Sequence, residues 1–210
     1  MRKHRIIAVL LICFAVLPLL RAQRLGGGLI LGPTFSTMRI TGMDSTRFRA
    51  DFCGGFRIGL IPQHSVFGLE LDVIYSRQGM RTKSGLDENG KKVRYAMKTS
   101  YINVPLLLNV YLRRWNADDE DESKMVRLRV GPQIGFCLGG SDVTTVGEKP
   151  SKHHITPWES KSFNRMDYGI AAAVSYWHIE LRYTCGLSNV RKTEGTSVNH
   201  VISVTWSDLW

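Results

Sequence analysis

The sequence predicts an all-β fold, an eight-stranded antiparallel up-and-down transmembrane β-barrel, on three observations. Apolar and polar residues alternate with period two through most of the chain after Gln23. The stretches between alternating runs are by turns long and short. The polar faces of the runs carry small residues together with charges that nearly cancel.

The chain has 210 residues, 43% of them hydrophobic, which suits one folded domain rather than a disordered chain. Residues 1–22 are set apart. Arg2, Lys3, His4 and Arg5 form a basic stretch, Ile6 through Leu20 an apolar run, and Ala22 offers a small residue for cleavage. That is the arrangement of a secretory signal peptide. The apolar run is shorter than the roughly 18–20 residues a retained transmembrane helix needs. Cys13 follows Ile12 inside the run, which does not suit lipid attachment, and Arg21 is the least typical residue of the segment. A barrel domain over residues 23–210 remains. Loss of Arg2, Lys3, Arg5 and Arg21 takes the formal charge from +10 to +6. The remaining excess forms no basic helix or aromatic-interleaved stripe, so nucleic acid is not an expected partner. Cys53, Cys137 and Cys185 are an odd set, better suited to small apolar fillers than to a disulfide framework.

Strands are expected over about 24–38, 50–61, 66–80, 95–113, 124–140, 163–176, 178–188 and 199–210. Each reaches the about 9–11 residues that a tilted strand needs to cross hydrocarbon. In the clearest run, Val126, Leu128, Val130, Pro132, Ile134, Phe136 and Leu138 share one face, opposed to Arg127, Arg129, Gly131, Gln133, Gly135 and Cys137. The long connections, 40–49, 81–94, 141–162 and 189–199, fall on one side, and the short ones, 62–65, 115–123 and the turn at Trp177, on the other. Long loops belong outside and short turns in the periplasm. A soluble lipocalin-like barrel also alternates, but with its apolar face inward.

The charged residues of the polar faces decide between these. Arg57, Arg127, Arg129 and Arg182 balance Glu70, Asp72, Asp167 and Glu180. A solvated face needs no such balance, whereas a dry lumen does, because an unpaired buried charge is costly. These eight residues are therefore expected to form a lumenal ion-pair network, with the apolar faces turned to outer-membrane lipid. Trp115, Trp177, Trp206 and Trp210 fall near the expected periplasmic ends, as an interfacial girdle would, and Trp158 in an outer loop. Pro105 lacks an N–H inside a closed wall, so a bulge or local break is expected there.

Several segments together resemble the PorT-type outer-membrane β-barrel family of Bacteroidetes. They are Tyr101-Ile-Asn-Val-Pro-Leu-Leu-Leu108, Leu69-Glu-Leu-Asp-Val-Ile-Tyr-Ser76 running into Gln78-Gly79, Met166-Asp-Tyr-Gly169, and Ile179-Glu-Leu-Arg-Tyr183 running into Gly186-Leu-Ser-Asn189. The resemblance covers essentially the whole chain after residue 22. It implies an eight-stranded outer-membrane barrel in which Tyr101, Pro105, Asp167, Gly169, Tyr183 and Gly186 are motif residues. It also implies a link to protein secretion across the outer membrane, the role associated with the family's founding member.

The function expected is a non-catalytic barrel with a structural or partner-binding role through its outer loops, without a cofactor. Alternatives are an accessory part in secretion, with envelope or secretion proteins as partners, or a small pore. The 141–162 loop is the main candidate contact surface, with Lys149, Lys152, His153, His154, Trp158 and Lys161. An enzyme would need a nucleophile beside a base. His153, His154 and His200 could serve with Asp44, Asp87 or Ser197, but no spacing links them. The adjacent His153 and His154 are a weak metal signal, since neighbours on a strand point apart. The acidic run Asp118–Glu122 is expected to keep a periplasmic turn hydrated or to meet a basic partner.

Overall fold

Successive side chains on a strand point to opposite faces, so a chain alternating as this one does can bury one face only by curling its sheet. It does so as a ring. The computed structural model describes residues 23–41, 46–62, 66–82, 85–86, 90–112, 126–147, 149–156, 163–192 and 195–207. The segment 1–22, the acidic run 118–122, and Asp44, Asp87, Trp115, Trp158, Lys161 and Trp210 lie outside the described residues.

The wall consists of β1 (Gln23–Ile40), β3 (Arg49–Pro62), β4 (Phe67–Thr82), β6 (Lys92–Leu112), β7 (Val126–Val146), β9 (Met166–Tyr176), β10 (Ile179–Gly186) and β11 (Ser197–Ser207). Each pairs antiparallel with the next. β11 returns to β1, with Ile30 opposite Ser207 and Ile40 opposite Ser197, so the ring closes. Closure satisfies every edge, a condition for β-structure in hydrocarbon. Three short strands extend the outer rim: β2 (Thr46–Arg47) on β4, β5 (Gly85–Leu86) on β6, and β8 (Lys149–Ile155) on β7.

The faces divide cleanly. Leu31, Phe52, Phe56, Ile58, Leu71, Val73, Leu108, Leu128, Val130, Phe136, Ile170, Leu181 and Trp206 are exposed on the outer surface. Thr34, Arg57, Glu70, Asp72, Ser76, Asn103, Asn109, Arg129, Ser175, Glu180 and Thr205 are buried inside. The apolar face is outward, which is the membrane arrangement and not the lipocalin one. At the short-turn end, Trp177 occupies a two-residue turn at φ 54°. Its ring lies 4.8 Å from His178, itself 5.9 Å from Trp206, a cluster suited to the membrane interface.

Two features depart from the expectations, and one, at Pro105, follows them. First, the 141–162 stretch is not a loop throughout. β7 runs on to Val146 and β8 returns along it, Val146 opposite Lys149 and Gly140 opposite Ile155, making a hairpin arm beyond the ring. Second, of the bulge or local break expected at Pro105, the structure shows the break. The register of Pro105 is the same on both sides, but the ladder to β4 skips from Leu71–Leu106 to Ile74–Asn103, and that to β7 from Pro105–Gln133 to Leu108–Val130. This is a local break, and Gly131 makes it tolerable: a Cβ there would sit 1.9 Å from the Leu106 carbonyl oxygen. The register shift in this pair falls instead at Ser100/Tyr101, where Leu138 is the extra residue.

Third, β4 leaves β3 above the Cys53–Ser76 rung. Gln78, Gly79 and Met80 are all buried, in place of alternation. The Gly79 N–H donates to Ser36 Oγ of β1 at 2.9 Å, and that hydroxyl donates back to the Gly79 carbonyl at 3.1 Å. Gly79 has φ 146°, and a Cβ on it would lie 2.0 Å from the Met97 carbonyl oxygen. Only glycine fits this inward step.

Candidate functional site

The lumen is built in three layers. Nearest the short-turn end, neighbours such as Gly59, Gly131, Ala171, Ala173 and Ser175 leave room on the inner face for long side chains. Six charged residues fill that room: Arg57 from β3, Glu70 and Asp72 from β4, Arg129 from β7, Glu180 and Arg182 from β10. None is more than 4% exposed. Arg57 is the hub. It grips Asp72 with two parallel bonds, Nε to Oδ1 at 2.8 Å and Nη2 to Oδ2 at 3.0 Å, and reaches Glu180 Oε2 at 2.8 Å and Glu70 Oε2 at 3.2 Å. Arg129 contacts Glu70 Oε2 at 3.1 Å and also pairs with Glu180. Arg182 donates to Glu180 Oε1 at 2.8 Å and pairs with Asp72. Ser207 on β11 and Ser175 on β9 accept from Arg57 and Arg129 at 3.1 and 3.2 Å. Three cations thus meet three carboxylates, and each carboxylate touches at least two guanidinium groups.

Two residues assigned to this network from sequence do not join it. Arg127 sits one pleat nearer the turn and donates to the Trp177 carbonyl at 3.3 Å. Asp167 lies toward the outer end, where its carboxylate accepts from Ser188 Oγ at 2.7 Å and Asn199 Nδ2 at 2.9 Å. Alternation places both on the inner face, but their heights along the barrel separate them from the other six.

The middle layer is polar and uncharged apart from Arg182. Asn103 Nδ2 donates to Ser76 Oγ at 2.8 Å, Gln78 Nε2 to the same oxygen at 2.9 Å, and Gln133 Nε2 to Asn103 Oδ1 at 3.3 Å. A cavity of about 30 Å³ lies among these residues and Cys53, Thr184 and Ser203. That is room for about one water molecule. The outer layer is apolar: Met38, Met80, Met97, Phe163 and Val190 form a buried cluster, flanked by Ile40 and Tyr95. Phe163 and Val190 come from the outer connections and close the mouth. The Arg191 guanidinium stands 5.6 Å from the Phe163 ring centre and 5.8 Å from that of Tyr95. Sequence reading missed this plug, although continuing the inner-face positions outward to 38, 80 and 97 finds a methionine at each.

The motif residues all do packing work. Tyr101 is buried in the lumen and Pro105 sets the local break. Gly169 and Gly186 pair across β9 and β10. A Cβ on either would crowd backbone, at 2.6 Å from the Cys185 carbonyl oxygen and 2.9 Å from that of Asn199. Tyr183 faces outward, stacked on His200 with its hydroxyl 2.8 Å from Nδ1. His200 is therefore apart from His153 and His154, which lie on the exposed β8 arm opposite Asp142 and Ser141. The Ser197 hydroxyl accepts from the Arg191 N–H at 2.9 Å. Among the described residues these candidates assemble no nucleophile–base pair.

The sequence profile of the family described as outer membrane protein beta-barrel domain matches residues 21–192. The chain belongs to that family. This outer-membrane barrel accordingly resides in the outer membrane. No curated protein matches its sequence. Among solved structures it is similar to Neisserial surface protein A, at 10% identity and TM-score 0.43, covering 86% of this chain and 95% of that one. It is also similar to Ail, the attachment invasion locus protein of Yersinia pestis, in complex with a heparin analogue. There the identity is 10% and the TM-score 0.38, over 87% of this chain and 99% of that one.

Proposed function

We propose that this outer-membrane barrel is a non-catalytic protein whose work is contact, structural or partner-binding, made by its outer rim. One observation carries the reading. The ion-pair cluster, the amide layer and the methionine plug take up most of the interior, while chemistry-bearing side chains stand exposed on the arm. Lys149, Lys152, His153 and His154 are all exposed on β8. β8 pairs with β7 alone among the described strands, so its far edge offers backbone groups to a partner strand. The lysines and Pro150 discourage indiscriminate edge pairing and favour a partner with acidic residues beside an extended segment. A photo-crosslinker at the exposed Ser151 in intact cells is expected to capture such an envelope protein, and Lys149→Glu with Lys152→Glu to abolish the capture. Unchanged capture by the double variant would sink the reading.

The resemblance to PorT-type barrels supports a narrower version, in which that partner belongs to a secretion assembly. It rests on the Tyr101–Leu108 and Met166–Gly169 segments. We further propose that residues 1–22 are a cleaved signal peptide. The intact mass of the protein purified from outer membranes should then correspond to a chain beginning near Gln23. A mass including the basic residues 2–5 would refute cleavage.

A further inference from the structure

We propose that the outer half of the wall contains a binding site for a tetrahedral oxyanion of the phosphate class, centred on Arg49. The argument begins where β3 and β4 part. Above Cys53–Ser76 the two strands share no rungs, and β4 has stepped inward onto Ser36. A cavity of about 230 Å³ lies here, lined by Arg49, Arg77, Lys98, Thr99, Ser100, Gly140 and Ser141. Arg49, Thr99 and Ser141 belong to the buried set and Arg77 and Lys98 to the exposed set, so the cavity reaches both faces of the wall.

Arg49 is the decisive residue. It is 7% exposed, and one of its terminal nitrogens pairs with Asp51. Its Nε and its other terminal nitrogen, both buried, have no hydrogen-bond partner among the described residues. In the inner cluster three guanidinium groups meet three carboxylates. Here three cations, Arg49, Arg77 and Lys98, line the cavity, and among its described lining residues there is no carboxylate; Asp51 pairs with Arg49. Arg77 and Arg81 act repulsively on the Arg49 charge and add to the local positive field. Buried N–H groups left unmatched are costly, and the open Nη1 of Arg49, beside the Arg77 and Lys98 cations, offers the charge-assisted donors that hold a phosphate. The hydroxyls of Ser100 and Ser141 supply neutral donors on the same walls.

Two sources could present that anion: a phosphorylated headgroup in the surrounding leaflet, reached from the exposed side, or free phosphate. The site does not depend on the docking role of β8, and its test leaves that arm untouched. The full barrel is reconstituted in phosphatidylcholine bilayers, with and without phosphatidic acid, and its thermal midpoint is followed while inorganic phosphate is titrated. A saturable rise is expected from at least one of the two phosphates. Arg77→Gln and Lys98→Gln, at exposed positions that leave folding intact, should each weaken that response roughly tenfold. Arg49→Gln should remove it, and if that variant fails to fold the other two decide alone. A response to inorganic phosphate identifies a free anion; one to phosphatidic acid only identifies a headgroup; either supports the site when it is sensitive to the variants. No response to either phosphate, or an equal response in Arg77→Gln and Lys98→Gln, overturns it.

Discussion

A guanidinium group inside a membrane-spanning barrel is tolerable only if its charge is matched. Arg57, Arg129 and Arg182 meet that condition by sharing Glu70, Asp72 and Glu180, so each side chain is held by more than one partner. Arg129→Ala would leave Glu70 and Glu180 short of a counter-charge where water hardly reaches. The expected loss is about 3–5 kcal/mol of unfolding free energy, against about 0–1 kcal/mol for Lys152→Ala on the exposed arm. Denaturant titration of the barrel in micelles reads both. Replacing the bidentate pair together, Arg57→Met with Asp72→Leu, should cost less than Arg57→Met alone, because no carboxylate is stranded. A loss at Arg129 as small as that at Lys152 would mean that water screens the cluster.

At the scale of elements, the strands within the hydrocarbon were legible because lipid enforces strict alternation there. In β7 the rule holds from Val126 to Leu138, and in β4 from Phe67 to Gln78. It fails where lipid no longer imposes it. Ser141 to Val146 continues as strand with its side chains mostly half-buried, so its sequence reads as a loop although its backbone is paired. The inward step at Gly79 was equally opaque, since one glycine in a strand does not say which way the chain will move. For the same reason the arm should be separable from the ring. Deleting residues 148–155 removes strand pairing to β7 only, and the unfolding free energy of the remaining barrel is expected to stay within about 0.5 kcal/mol of the parent. A collapse of folding on deletion would show that the arm is part of the wall.

For the whole molecule, a period of two gives each residue a face but not a height. The balance of inner-face charges could therefore be read from the sequence, while the exclusion of Arg127 and Asp167 from the cluster could not, since that depends on the stagger between neighbouring strands. The layered filling follows from the same stagger: charges near the short turns, amides at mid-height, methionines under the long connections. Its consequence is an outer-membrane barrel with a lipid-facing apolar skin and an interior that keeps the charges together.

That inside-out arrangement is tested most directly by nitroxide labels placed one at a time along β7 in lipid bilayers, in a background without the native cysteines. Labels at Leu128, Val130, Ile134 and Phe136 should be accessible to membrane-dissolved oxygen, whereas labels at Gln133 and Cys137 should be shielded from both oxygen and water-soluble nickel. Nickel access at Leu128, Val130, Ile134 and Phe136, or no alternation at all, would contradict the barrel described here.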